Sequence, residues 1–304
     1  MPDSAVDRNA FVFFIYEPAL NPVNPAVQLT IPALNRRRYM KKVASLLCGL
    51  VLLCSFSTAA ASVSAKKVKT GFSWELTDQI GGITKALARH GDTLYLASGR
   101  HILALDVRDP RAIILVGRSP LLPQYVESIT LDGSGRLYAC CGSGGLAALD
   151  VSNAADLSIL WVLDTMGFTE SVAIADGYAM LADGPQGLQI YDITAAEPAF
   201  LAEAYPMAYA YDVVIKEGMA YIAGGGSGLF CVDVADPGRP HETGLVSPDG
   251  FIYDVAFSGD LLYAACAWGG VSVFSLEDPQ TPVKAEEIRT DGWAMSLHTS
   301  DKDL

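Results

Sequence analysis

The chain has 304 residues, of which 51% are hydrophobic, 18% are charged and 28 are glycine, a balance that suits many short strands joined by tight turns and argues against long solvated helices. From Lys66 onward, 15 Lys and Arg stand against 31 Asp and Glu, a net of −16. Such a surface repels phosphate backbones and anionic headgroups, which excludes nucleic acid as a partner and leaves any membrane contact to the N-terminal segment.

In chain order, residues 1–39 come first and belong to no targeting or folded pattern. Arg36 and Arg37 lie just before Met40, where AGG-type codons would spell a ribosome-binding sequence. Translation is therefore expected to start at Met40, with a disordered extension as the other reading. Residues 40–65 then run in the order of a secretory signal: a basic start (Lys41, Lys42), an apolar stretch from Val43 to Phe56, and small residues from Ser57 to Ala65. Cleavage fits after Ala61 or Ala65, and export to the periplasm, cell surface or medium is expected. Lipidation at Cys48 or Cys54 is a poorer match, because Leu47 and Leu53 precede them, and an uncleaved anchor is the remaining alternative. The four cysteines of the body, Cys140, Cys141, Cys231 and Cys266, read as buried free thiols.

Residues 66–304 repeat. Tyr95, Tyr138, Met180, Tyr221 and Tyr263 recur at spacings of 43, 42, 41 and 42, and a second landmark follows each at Asp106, Asp150, Asp192, Asp233 and Ser275. The units span about 81–121, 125–166, 168–207, 209–248 and 251–290, with a partial sixth at 291–304. In the fourth unit a run from Asp212 leads through the turn Lys216–Gly218 to a second run at Tyr221. The glycine turn Gly224–Gly228 precedes a third run ending at Asp233, and a fourth, weaker run lies near Thr243–Val246. Four strands per unit make one blade of a β-propeller. A blade is apolar on both faces and needs a neighbour on each side, which accounts for the unbroken apolar third run Leu229-Phe-Cys-Val. The fold class expected is therefore all-β, a propeller of four-stranded blades.

The third runs, Ile102-Leu-Ala-Leu-Asp-Val, Leu146-Ala-Ala-Leu-Asp-Val, Leu188-Gln-Ile-Tyr-Asp-Ile, Leu229-Phe-Cys-Val-Asp-Val and Val271-Ser-Val-Phe-Ser-Leu, are followed by Asp-Pro at Asp109, Asp236 and Asp278. This pattern resembles the LVIVD-repeat family, and the resemblance covers about Gly71 to Leu304. It implies an exported or surface β-propeller and carries no established activity. The last unit departs at Ser275, and the second lacks Asp-Pro.

The sixth unit starts at Trp293 and reaches Leu304 one position before its landmark tyrosine is due, so the sequence reads as a truncated product with six or seven blades in the intact protein. Phe72–Thr77 resembles a fourth run and is expected to complete the final blade.

Chemistry is sparse. Gly142-Ser-Gly-Gly145 lies between two strands, so it lacks the helix that a dinucleotide fingerprint needs. His90, His101, His241 and His298 share no position in the repeat. The sharper candidates are Glu127, Glu170, Asp212 and Asp254 on the first runs, with Lys85 near the same level. They could converge on the central channel as a cation or polar-ligand site, with Ca2+ one cation it could take, or each could cap a local turn. Glu127 and Glu170 sit one place out of register with the aspartates. Tyr125, Phe168, Tyr209, Phe251 and Trp268 form either a sugar- or peptide-binding rim or part of the core. No catalytic, cofactor or metal residue is assigned. The reading is a non-catalytic exported interaction module with a protein or carbohydrate partner. Its alternative is a periplasmic enzyme or a ligand- or cation-binding protein using an acidic channel.

Overall fold

The computed structural model describes residues 11–13, 84–204, 209–247 and 249–299. The signal segment, Cys48, Cys54 and the expected closing strand Phe72–Thr77 lie outside the described residues, as does most of 1–39. Apart from β1 (Phe11–Phe13), the described residues form five consecutive four-stranded antiparallel sheets and the first strand of a sixth unit.

Blade 1 holds β2 (Thr84–His90), β3 (Thr93–Ser98), β4 (His101–Asp106) and β5 (Ile114–Arg118), and blade 2 holds β6 (Ser128–Leu131), β7 (Arg136–Cys140), β8 (Leu146–Asp150) and β9 (Ser158–Leu163). Blade 3 runs through β10 (Ser171–Ala175), β11 (Tyr178–Ala182), β12 (Leu188–Asp192) and β13 (Ala199–Ala204). Blade 4 contains β14 (Asp212–Lys216), β15 (Met219–Ala223), β16 (Leu229–Asp233) and β17 (His241–Val246). Blade 5 contains β18 (Asp254–Ser258), β19 (Leu261–Ala265), β20 (Val271–Ser275) and β21 (Val283–Ile288). The strand β22 (Ser296–His298) opens the sixth unit and pairs antiparallel with β1.

In every blade the strands are ordered as in the sequence. The first strands β2, β6, β10, β14, β18 and β22 lie side by side in succession, which makes them the inner strands of a β-propeller. Strands two and three carry the core, and β8, β12, β16 and β20 are buried at every position before the landmark. Among the described residues the larger buried clusters bridge neighbouring blades, and a smaller one of Leu94, Leu96 and Leu105 lies within blade 1. One joins Tyr221, Cys231 and Leu229 of blade 4 to Val255, Leu262 and Phe274 of blade 5. Another joins Met180 and Ile190 of blade 3 to Val213 and Phe230 of blade 4. A sheet whose two faces are both dry is stable only when both neighbours are present.

Both sequence landmarks acquire a physical role. The carboxylate of Asp106, Asp150, Asp192 and Asp233 accepts the N–H two residues ahead, at 2.8–3.0 Å, and the Ser275 hydroxyl accepts that of Glu277 at 3.4 Å. This turn ends strand three and sends the chain into the link. The tyrosines are buried, and two bolt neighbouring blades together. Tyr95 donates its hydroxyl proton to the Val151 carbonyl at 3.0 Å, and Tyr221 donates to that of Pro279 at 2.8 Å. Tyr221→Phe is therefore expected to cost about 1–1.5 kcal/mol, one buried hydrogen bond, measured by urea unfolding. No loss of stability would remove the bolt.

A feature invisible in the residue pattern is a register shift between strands three and four, at equivalent places in all five blades: Ala104/Leu105, Ala148/Leu149, Ile190/Tyr191, Cys231/Val232 and Val273/Phe274. A bulge there adds twist and turns the outer strand away from its neighbours. The four cysteines of the body are free and buried. Burial pushes the thiol of Cys141 up to about 11 and that of Cys231 up to about 12, so both stay protonated and unreactive at neutral pH.

Candidate functional site at the channel mouth

The inner strand of a blade has a sheet neighbour on one side only, so alternate backbone groups on its channel side lack a ladder partner. Side chains of the preceding blade supply partners. Thr130 donates its hydroxyl proton to the Val172 carbonyl at 3.0 Å, Asp212 accepts the Val255 N–H at 2.9 Å, and Asp254 accepts the Leu297 N–H at 2.7 Å. The recipients Val172, Val255 and Leu297 are each the second residue of an inner strand. The aspartates thus accept backbone N–H groups, but from the neighbouring blade and not from a local turn.

Asp212 and Asp254 also meet each other. Their carboxyls are hydrogen-bonded, and the Ser296 hydroxyl also bonds to Asp254. Burial, and then the negative charge of Asp212, push the Asp254 carboxyl well above the usual carboxylate range. The cause is that ionising Asp254 has to place like charges together away from water.

Glu127 and Glu170 take a different position. The cross-strand partners of Ser128, Ser171, Asp212 and Asp254 are Cys140, Ala182, Ala223 and Ala265, so serines occupy the aspartate place in blades 2 and 3. One residue earlier, Glu127, Glu170, Tyr211 and Tyr253 make the same backbone bond to those four partners, at 2.8–3.0 Å. The two glutamates therefore share a tier with two tyrosines, just above the aspartate pair. Glu127 is paired with Lys85. Glu170 accepts the Tyr209 hydroxyl at 2.8 Å, and burial holds its carboxyl above the usual range, with Glu127 adding to the shift. Burial and the adjoining Glu170 carboxylate in turn raise the Tyr209 phenol.

Two residues before that tier stands a second one: Tyr125, Phe168, Tyr209, Phe251 and, at the same spacing, Trp293. Each precedes the inner strand of its blade and lies over the hairpin loop of the blade before. A Cβ on Gly142 would come within 2.7 Å of the Phe168 ring, on Gly184 within 2.9 Å of the Tyr209 ring and on Gly225 within 2.6 Å of the Phe251 ring. The bare Cα is what lets the aromatic ring settle. These glycines have φ of 54, 56 and 58°, and blade 5 carries Ala267 at φ 46° in the same place. The backbone bridge is kept, Gly142 to Thr169, Gly184 to Ala210, Gly225 to Ile252 and Ala267 to Ala294. At Ala267 the Trp293 ring lies 5.8 Å from Trp268, edge to face, with the two side chains 53% and 64% exposed.

The two tiers merge in blades 4 and 5. The Tyr211 ring stands 4.5 Å from Tyr209, 5.2 Å from Phe251 and 5.5 Å from Tyr253, and Phe251 stands 4.6 Å from Tyr253. All four are half-buried. One side of the mouth is thus a continuous aromatic wall and the other carries Glu127 and Glu170. Tyr211 and Tyr253 are absent from the candidates read from the sequence, although they stand ten residues before the landmarks Tyr221 and Tyr263, just as Glu170 stands ten before Met180. Deeper in the loops, Asp183 is fully buried and accepts the hydroxyl protons of Thr165 and Thr169 at 2.9 and 2.7 Å, which fixes the link between blades 2 and 3.

Among the described residues no group of three or more His, Cys, Asp or Glu is arranged to hold a metal ion. The family model of the LVIVD repeat matches residues 166–205 and 208–247, the segments of blades 3 and 4. These two blades are LVIVD repeats. The Leu-x-x-x-Asp strand of the LVIVD unit is here the buried third strand, and its aspartate is the turn-forming residue Asp192 or Asp233. Among solved structures, the crystal structure of the computationally designed Ika8 protein superposes with a TM-score of 0.56, at 13% identity, over 72% of this chain and 65% of that one. The chain thus spans just under two thirds of that designed protein, and the likeness is one of fold. No curated protein matches this chain.

Proposed function

We propose that this LVIVD-repeat propeller is an exported, non-catalytic interaction module that takes its partner at the channel mouth. The observation that carries the reading is the aromatic wall of Tyr209, Tyr211, Phe251 and Tyr253 facing two carboxylates. Half-buried aromatic side chains offer large contact area at small entropic cost, and flanking charges set orientation. Export is supported by the order of basic, apolar and small residues in 40–65. The test has two arms. Expressed in a bacterial host, the chain is expected outside the cytoplasm and shorter at its N-terminus, and a form lacking residues 40–65 is expected to stay inside. On peptide and glycan arrays the wild-type chain is expected to bind a defined subset that Tyr211→Leu/Tyr253→Leu no longer binds. Retention of the full chain in the cytoplasm overturns export, and binding unchanged by the double variant overturns the mouth.

A second reading, a cation held by the channel carboxylates, draws on the meeting of Asp212 and Asp254. Under it, millimolar Ca2+ raises the melting temperature of the wild type and leaves Asp212→Asn/Asp254→Asn unchanged. The interaction-module reading expects the same small response from both proteins.

A further inference from the structure

The two halves of the mouth differ in a way that narrows what it can hold. Glu127 already has a cation, Lys85. Among the described residues Glu170 accepts a hydrogen bond from the neutral Tyr209 hydroxyl and feels Lys85 at longer range, and it sits at the junction of the acidic side and the aromatic wall. The partner group that best complements the Glu170 carboxylate is a cation with hydrogen-bond donors. To reach Glu170 it has to lie along Tyr209 and Tyr211, whose rings are 4.5 Å apart and inclined by 37°. These rings and the Phe251–Tyr253 pair, 4.6 Å apart at 39°, form a broad wall and not a closed box.

We propose that the channel mouth binds the guanidinium of an arginine side chain from a protein partner, stacked on the Tyr209/Tyr211 wall and paired with Glu170. A planar guanidinium covers an aromatic face and still directs donors in its own plane toward a carboxylate at the wall's edge. A lysine ammonium fits this shape less well, because it is a strongly hydrated point charge that gains most from enclosure on several sides. The net charge of −16 from Lys66 onward steers a basic partner in and an acidic one away. The assignment rests on the interaction-module reading and names its ligand class.

The experiment uses the full chain and two probes, N-acetyl-arginine amide and N-acetyl-lysine amide, titrated by NMR in low and high salt. The arginine probe is expected to bind about threefold or more tighter than the lysine probe. Glu170→Gln is expected to weaken the arginine probe about tenfold, and Tyr211→Leu about threefold or more. Glu286→Gln, an exposed carboxylate on β21, serves as the charge control and is expected to change nothing. Tyr253→Leu provides a second wall variant if Tyr211→Leu does not fold, with the same direction expected. Equal affinities for the two probes, or equal losses in Glu170→Gln and Glu286→Gln, overturn the proposal in favour of diffuse attraction to an acidic surface. If neither probe binds while the arrays show a ligand lost in the wall variant, the guanidinium assignment falls and the interaction module stands. If neither probes nor arrays bind, both fall.

Discussion

Replacing Gly145 by alanine is expected to lower stability by about 3 kcal/mol or more, a large part of the roughly 5–15 kcal/mol that holds a typical domain folded. Gly145 ends the hairpin loop between strands two and three of blade 2, at φ 72°, and a Cβ there would lie 2.0 Å from the Leu163 carbonyl and 3.0 Å from the Thr165 N–H. Both obstacles are backbone, so no rotamer change relieves them. The same conflict recurs at Gly228 with the Val246 carbonyl at 2.5 Å and at Gly270 with that of Ile288 at 2.3 Å. In each, the fourth strand of the blade occupies the volume that a side chain would need. Gly91 supplies the control, since it has φ 56° with nothing within 4 Å of a built Cβ. Gly91→Ala is expected to cost only the left-handed conformation, about 1 kcal/mol. Urea unfolding of the two variants separates strain from contact. Equal losses would mean that the fourth strand does not press on the loop.

The second large effect is a change in the pH dependence of stability at the aspartate pair. Asp254 titrates above the usual carboxylate range because it is buried and faces Asp212. A group whose folded pKa is raised holds its proton more tightly folded than unfolded. Its contribution is complete below the ordinary carboxylate pKa and is lost as pH rises through the folded value. Asp254→Asn keeps an oxygen for the Leu297 N–H and donors toward Asp212 without the charge. At pH 8 it is expected to be more stable than the wild type by about 1–2 kcal/mol, roughly 3–6 °C in melting temperature. The advantage should vanish near pH 4. Asp254→Ala strands the Leu297 N–H and is expected to lose about 1–3 kcal/mol at both pH values. Melting curves of the three proteins from pH 4 to 8 test this, and parallel curves for wild type and Asp254→Asn would show that Asp254 does not hold its proton more tightly in the folded state.

Much of the architecture was legible because each landmark answers a local demand that recurs once per blade. The landmark aspartate makes its turn from side chain to backbone two residues on, so its spacing reports the end of strand three directly. The apolar third run reports burial on both faces. The candidate site was legible only in part. Glu127, Glu170, Asp212 and Asp254 are all on the channel side of the fold, but whether a carboxylate meets a lysine, a phenol, a backbone N–H or another carboxylate depends on the neighbouring blade. Tyr211 and Tyr253 escaped because they are chemically unlike the glutamates whose position they share.

By itself the sequence determined the all-β class, the period, the four strands of each unit and the dry strand at its centre, since these follow from local turn chemistry and from hydrophobic patterning within about 42 residues. Only the tertiary structure decided how successive units meet. The rings seated over bare glycines and the aspartates reaching across to Val255 and Leu297 are contacts between blades. Their partners lie 25–26 residues apart for the rings and 43 for the aspartates, beyond the reach of any local pattern, and are brought together because each sheet has to cover both of its faces.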